Sequence, residues 1–293
     1  MPKAAVLFFA AILAAQSQTL HGVIDIHAHC DPDSLARSID GISLAKLAHS
    51  RGMRAVVLKN HFESTAGLAW LARSAAPGME VYGGIALNRS VGGINPAAVE
   101  HMAQVKGKLG RFVSMPTVDS EHQVRTANES RPFVAISKDG RLLPEVLQVL
   151  DLIAKHRLVL ATGHSSSDET VLLVKEARSK RIARIVVTHG PNPSTGMTIE
   201  HMRRAAVMGA FIEFSYNDLL AQERAVAIRR SVAAIRACGT AHVILSSDLG
   251  QANNPLPPDG LLAFMKILQE EGFTPAEIDR MARRNPAKLL SPY

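Results

Sequence analysis

The sequence predicts an α/β fold, a single-domain (β/α)8 TIM barrel, on three observations. Short aliphatic or β-branched runs alternate with longer amphipathic stretches at intervals of about 30 residues. Eight such runs can be placed. Several of them, Ala55-Val56-Val57-Leu58 and Ile185-Val186-Val187 among them, are apolar throughout, as parallel strands buried on both faces are. An open doubly wound sheet is the alternative, but no Gly-x-Gly-x-x-Gly follows the first strand, and Gly83-Gly84 and Gly92-Gly93 stand elsewhere.

The strands expected in chain order are Val23–His27, Ala55–His61, Val81–Leu87, Phe112–Thr117, Leu158–His164, Arg184–His189, Ala210–Ser215 and His242–Ser247. Helical periodicity falls near 42–51, 65–75, 96–108, 143–156, 168–180, 198–208, 221–237 and 259–271, with a last helix near 275–284. Asp168 before Glu169, and Thr274-Pro275-Ala276-Glu277, supply N-cap chemistry, and Gly52, Gly110 and Gly209 stand where C-caps belong. The longest break is 118–142, where Ser137-Lys138-Asp139-Gly140 lies between two apolar runs. Its Asp-Gly suits a tight turn and predicts a small hairpin excursion after strand four.

The N-terminus reads as a secretory signal peptide over residues 1–18. One lysine precedes the apolar run Ala4–Ala15, and small residues at 14, 15 and 17 suit cleavage. A helix of that run rises only about 18 Å, too short for a hydrocarbon core of about 30 Å. A buried N-terminal helix is the alternative. The expectation is therefore an exported protein, periplasmic or secreted, whose mature part 19–293 has no membrane span. Cys30 and Cys238 allow one disulfide at most and no disulfide framework.

Over 293 residues, 47% hydrophobic and 20% charged residues exclude a disordered chain. The net charge of +7 is spread through scattered pairs such as Arg203-Arg204 and Arg229-Arg230 and reads as solvated helix faces. With 9 Phe, 3 Tyr and 1 Trp there is no stacking platform, so no nucleic acid is expected as a partner. A small-molecule substrate is, and a homo-oligomer stays open.

Chemistry concentrates at the carboxyl ends of the expected strands, where barrels of this kind carry their catalytic groups. Strand one ends Asp25-Ile26-His27-Ala28-His29, strand two Leu58-Lys59-Asn60-His61, strand five Thr162-Gly163-His164, strand six Thr188-His189-Gly190 and strand eight Ser246-Ser247-Asp248. Alternation along a strand turns His27 with His29, and Lys59 with His61, toward the barrel mouth. A single buried histidine is usually a satisfied core residue. Five converging on one axis have no packing use, since each needs a desolvated partner. Neutral imidazoles with a carboxylate are what a divalent first-row metal requires.

These elements resemble the amidohydrolase superfamily of metal-dependent hydrolases on a (β/α)8 barrel, along nearly the whole mature chain. His27-Ala28-His29 matches its H-x-H of strand one, His164 and His189 its single histidines of strands five and six, and Asp248 its strand-eight aspartate. The resemblance implies metal ligands or groups beside the metal at His27, His29, His164, His189 and Asp248. Ser247–Gln251 looks most like the phosphotriesterase-like and related branches. Many two-metal members carry a bridging carbamylated lysine or glutamate at the end of strand four, and Phe112–Asp119 has no such group at that place. Lys59 is the best substitute, either carbamylated and a metal ligand or a free cation that binds an anionic substrate group. Asp119 is a weaker one.

The function implied is hydrolysis of an amide, lactone, cyclic imide or phosphoester, with one or two divalent ions, zinc foremost. Such an ion lowers the pKa of its water toward about 7. Asp248 would act as general base, with His189 or His61 polarising the substrate. A non-oxidative decarboxylase on the same barrel is the alternative, and a noncatalytic metal-binding protein a third reading. Asn88, Asn192, Glu213 and Gln251, with Lys59, are the candidate substrate contacts, and Asn95, Thr117, His122 and Tyr216 are further rim residues. Glu213 stands out as a carboxylate in the apolar run Phe211–Phe214, so it needs a partner. Asn253–Pro258 reads as a rigid loop over the mouth.

Overall fold

A computed structural model describes residues 18–291, so the expected signal segment lies outside the described residues but for Gln18. Eight strands, β1 (Ile24–Ala28), β2 (Ala55–Leu58), β3 (Glu80–Ala86), β4 (Gly110–Ser114), β7 (Val159–Ala161), β8 (Ile185–Val187), β9 (Phe211–Ser215) and β10 (Val243–Ser246), pair side by side in that order, every pair parallel. The sheet closes between its ends. The His29 N–H donates to the Leu249 carbonyl at 2.7 Å, and the Asp248 N–H to the His27 carbonyl at 2.8 Å. This is the expected (β/α)8 barrel. Its strands end before the polar residues counted into them, because those residues leave the ladder to build the mouth.

Around it run α1 (Gly41–Ser50), α2 (Ala66–Ala75), α3 (Pro96–Gln104), α4 (Glu121–Thr126), α5 (Pro144–His156), α6 (Ser167–Ser179), α7 (Ile199–Val207), α8 (Arg224–Cys238) and α9 (Pro257–Glu270). Then come α10 (Pro275–Asp279), a π-helical turn over Arg280–Arg284, and α11 (Asn285–Leu290). The last helical stretch is thus longer than the 275–284 expected. Its Leu289 and Leu290 are buried among Ile24, Ile244 and Val159 in the barrel interior, which places the C-terminal helix across the amino ends of the strands. Each such side chain contributes about 1.5–3 kcal/mol by leaving water. A larger apolar layer fills the space between strands and helices, with Leu44, Leu58, Leu150 and Phe264 fully buried.

Two cap assignments change. Ser166, not Asp168, caps α6: its side chain accepts the Glu169 N–H while Glu169 reaches back to the Ser166 backbone, and Asp168 sits in the first turn. Gly110 ends no helix. It opens β4, where a Cβ would lie 2.7 Å from the Met102 carbonyl, so only glycine lets α3 pack so close. The Thr274 cap holds, with Glu277 completing the reciprocal box. The excursion after strand four contains the expected hairpin, β5 (Ser137–Lys138) against β6 (Arg141–Leu142), turned by Asp139 and Gly140, both with positive φ. It also contains α4, six residues with too little periodicity to be read in advance.

One irregularity in β1 decides the site. Asp25 pairs with Val56 and Ala28 with Leu58, so Ile26 and His27 together oppose Val57. This is a β-bulge. Ile24 and Ile26 face the barrel interior, and unbroken alternation from them would send His27 outward. The extra residue turns it back into the mouth.

Candidate metal centre

Asp248 is the hub. Its Oδ1 accepts from His29 Nε2 at 3.0 Å and faces His27 Nε2 at 3.0 Å, and its Oδ2 accepts from Asn217 Nδ2 at 3.1 Å. Ligand atoms of His27, His189 and Asp248 all lie within 4.8 Å of one another, and all three residues are buried. The other imidazoles complete a ring around the mouth: ring centroids are 5.1 Å apart for His27 and His29, 4.8 Å for His29 and His61, and 5.3 Å for His164 and His189. Every histidine expected at a strand end is therefore at one place.

The backbone is bent to put them there. His189 (φ 52°) and Asp248 (φ 51°) each lie just beyond a strand in the left-handed region, which costs a non-glycine residue about 1–3 kcal/mol. His and Asp are among the side chains that tolerate it. At both positions this backbone turns the side chain toward the mouth, where His189 and Asp248 line the same cavity.

The donor set fits a divalent cation. His27 Nδ1 donates to Glu213 Oε1 at 2.9 Å, which leaves the Nε2 lone pair directed at the Asp248 carboxylate. Lys59 Nζ lies 2.9 Å from the same Nε2, so a cation already stands beside these two acceptors, as a divalent ion would. His29 Nδ1, His164 Nε2 and His189 Nδ1 are buried without a hydrogen-bond partner, a costly state unless a ligand is expected.

Electrostatics say the same. Burial presses on Asp248, yet the facing His27 and His189 hold its carboxyl well below the usual range. Burial likewise opposes ionisation of Glu213, and His27 overcomes it, bringing Glu213 down to about 2. Burial and the Lys59 ammonium push His27 down, but Asp248 and Glu213 outweigh them and raise it. His189 is raised to about 9 because Asp248 and Asp218 outweigh its burial. Burial lowers His29 to about 4 and lowers His61 and His164 as well, so these three are neutral at pH 7.

Some expected contacts turn out to be supports. Asn88 is completely buried: its side chain donates to the His61 carbonyl and Thr117 Oγ1 and accepts from the Thr117 N–H, leaving nothing for a substrate. Thr117 in turn holds His61 Nδ1 at 2.9 Å. Asn95 caps α3. Glu213 is buried beneath the mouth, its Oε1 accepting from His27 Nδ1 and Ser246 Oγ. Lys59 also sits below, its Nζ 2.9 Å from His27 Nε2, on a cavity of about 20 Å³, near the size of one water. Asp119, the weaker candidate for a bridge, is taken by Arg131 and the Arg89 N–H. Asn192 and Gln251 do line the mouth, a cavity of 440 Å³ over His61, His164, His189 and Asp248.

Three neighbours of these side chains are not evident from the sequence. Gln123 of α4 hydrogen-bonds His164 Nδ1, Asn217 holds Asp248, and Asp218 faces His189 Nδ1 at 3.5 Å while accepting from Asn192 Nδ2. Asn217 and Asp218 come two and three residues after β9, so the strand-end rule that found the histidines extends to them. Gln123 lies in the excursion, where no periodicity pointed to it. A depression of 720 Å³ elsewhere on the surface, between α6 and α7, is lined by Val171 and Val207 together with charged residues such as Lys175 and Arg203, and no histidine lines it.

The fold is shared with solved hydrolase structures of low identity. A mutant of the organophosphorus hydrolase from Deinococcus radiodurans superposes with a TM-score of 0.57 at 14% identity, covering 94% of this chain and 98% of that one. A probable 2-pyrone-4,6-dicarboxylic acid hydrolase from Acinetobacter baumannii, with citric acid bound, gives 0.63 at 15%, covering 92% and 98%. A mutant phosphotriesterase-like lactonase from Deinococcus radiodurans gives 0.58 at 13%, covering 94% and 98%. No curated protein matches the sequence. Residues 22–213 match the model of a family of unknown function, DUF6282, and with that match over most of its length the chain belongs to this family.

Proposed function

We propose that the protein is a metal-dependent hydrolase that cleaves an amide, lactone, cyclic imide or phosphoester in a small molecule. The observation that carries this reading is the meeting of His27, His189 and Asp248 ligand atoms within 4.8 Å at the floor of an open mouth. The structural neighbours, an organophosphorus hydrolase, a lactonase and a probable dicarboxylic acid hydrolase, support it.

In this reading His27, His29, His164, His189 and Asp248 hold one or two divalent ions, zinc foremost. The ion supplies Lewis acidity and lowers the pKa of water from 15.7 toward about 7. Asp248, ionised and hydrogen-bonded to Asn217, takes a proton from the attacking water and returns it to the leaving group. His61, neutral and fixed by Thr117, and His189 orient and polarise the scissile group from the rim. Glu213 holds His27 in one tautomer from behind. Lys59 serves either as a carbamate ligand or as an ammonium beside His27. Export of the barrel as residues 19–293 belongs to the same proposal and rests on the apolar run Ala4–Ala15.

A non-oxidative decarboxylase is the second reading. What favours it is the end of β4, where Ser114 and Met115 stand in place of a bridging carboxylate and Asp119 is committed to Arg131, an arrangement suited to one ion. Elemental analysis of the purified protein, followed by turnover of a lactone, ester, amide and phosphotriester panel before and after chelation, tests the choice. Chelator-sensitive hydrolysis supports the first reading. Carbon dioxide release from carboxylates without hydrolysis supports the second, and a chain that binds no divalent ion ends both.

A further inference from the structure

A second chamber of 570 Å³ adjoins the mouth over Asp248, and Asn192, Asn217 and Asp218 line both. The inner chamber is walled by imidazoles, amides and the carboxylates of Asp218 and Asp248, and neither lysine nor arginine lines it. The outer chamber has one cationic side chain, Arg230 of α8. Its Nε is buried without a hydrogen-bond partner, and among the described residues nothing hydrogen-bonds or ion-pairs with its guanidinium.

That is an unusual state for an arginine. A buried donor left open costs about 1–3 kcal/mol, and more when charged. The chamber's two acids do not answer it. Asp218 accepts from Asn192 Nδ2 at 2.5 Å and faces His189, and Glu223 stands exposed at the start of α8 with no ion pair to Arg230. Asn254, on the same wall, is likewise committed, donating to Asn217 and Gln251. A solvated helix arginine would leave all its donors in water. This one, half-buried, keeps its Nε covered and unpaired on the wall of a chamber that shares Asn192, Asn217 and Asp218 with the mouth. A guanidinium presents a planar fork that matches oxyanions in two parallel hydrogen bonds.

We propose that Arg230 recognises an oxyanion, a carboxylate or a phosphate, at the end of the substrate remote from the bond that reacts. The inference rests on the hydrolase reading for what happens in the inner chamber, and it narrows the substrate to small anionic molecules that span both. Neutral amides between the chambers then carry the polar middle, and the acid-lined inner wall keeps the anionic end from binding backwards unless the metal takes it.

The test uses the metal-loaded protein and γ-lactones bearing an ω-carboxylate on alkyl chains of graded length, with the matching primary amides and ω-phosphates, read by calorimetry and by turnover. At the length that reaches Arg230, the carboxylate or phosphate is expected to bind at least about tenfold more tightly than the amide. Arg230→Met should abolish that preference while leaving neutral lactones unchanged, and Arg230→Lys should restore part of it. Equal binding of acid and amide at every length, or a preference that survives Arg230→Met in a folded variant, overturns the proposal. The carboxylate and phosphate arms separate the two sources of the anion. Anion binding through Arg230 without hydrolysis of any probe would refute the hydrolase reading and leave this inference standing. Hydrolysis of neutral lactones with no preference for anions would do the reverse.

Discussion

The Asp25 carboxylate spans the seam where the barrel closes, its Oδ1 accepting the backbone N–H of Ser247 at 3.0 Å and that of His27 at 3.1 Å. One oxygen thus fixes the bulge that turns His27 inward and ties β1 to the strand that delivers Asp248. Its other oxygen, Oδ2, is buried without a partner.

Burial raises the Asp25 pKa to about 6 from its ordinary 3.8. A carboxyl whose pKa is raised by folding stabilises the native state when protonated. Its contribution is full below pH 3.8 and is lost as the pH rises through about 6. At about 1.4 kcal/mol per unit, the metal-free protein should lose about 3 kcal/mol of this contribution between pH 3.8 and neutrality. Asp25→Asn keeps the accepting oxygen and cannot ionise. Urea midpoints of the metal-free wild type and variant at pH 4.5 and pH 7 should therefore converge at the lower pH and separate at the higher, the variant being the more stable. Parallel pH profiles would show that Asp25 does not carry the effect.

Glu213 is the carboxylate that fixes His27 from behind, and it also accepts from Ser246 Oγ at 2.8 Å. Partners of this kind fix the orientation and basicity of a ligating imidazole, and their loss costs about 10–100-fold in metal affinity. Glu213→Gln, which preserves shape and removes charge, should show that loss in competition with a chromophoric chelator while unfolding at nearly the wild-type midpoint. An unchanged metal Kd would mean that Glu213 serves packing alone.

These two carboxylates show what the sequence can and cannot convey. Strand positions and their polar ends were legible because an aliphatic run buried on both faces has few other uses, and His27, His164, His189 and Asp248 end such runs. Glu213 was legible as a group in need of a partner, yet not as the support of His27, since the register between β9 and β1 depends on barrel closure. The bulge at Ile26–His27 leaves no mark in residue type. Alternation predicted the right face for His27 for a reason the structure replaces. Asn88 looked like a rim contact because an amide after a strand is equally suited to bracing loops, and only its complete burial decides between the two. Arg230 was read with Arg229 as a solvated pair, since helical periodicity says nothing of a chamber formed by another loop.

Leu289 lies at the opposite end of the barrel, completely buried against the inner strand residues. Truncating a buried leucine removes its transfer energy and leaves a cavity, together about 2–5 kcal/mol. Leu289→Ala should lower the unfolding free energy by that amount in urea titrations, with the folded fraction binding metal normally, because that rim serves stability and not chemistry. A metal affinity that falls with stability would couple the two ends of the barrel.

Asp248 combines two duties, which sets the choice of its replacement. It holds φ at 51°, where asparagine is tolerated better than most residues, so Asp248→Asn preserves the backbone that swings the side chain across the mouth. The amide still reaches His29 and Asn217 but can no longer take a proton. Turnover in the metal-loaded variant should fall by at least about 100-fold, the usual size of a general-base contribution. Elemental analysis of the same sample separates this loss from loss of the ion: a variant with a full complement of metal and depressed kcat identifies Asp248 as the base. Near-normal kcat with metal retained would move that role to another group, and His61, neutral and on the rim of the same cavity, is the next residue to replace.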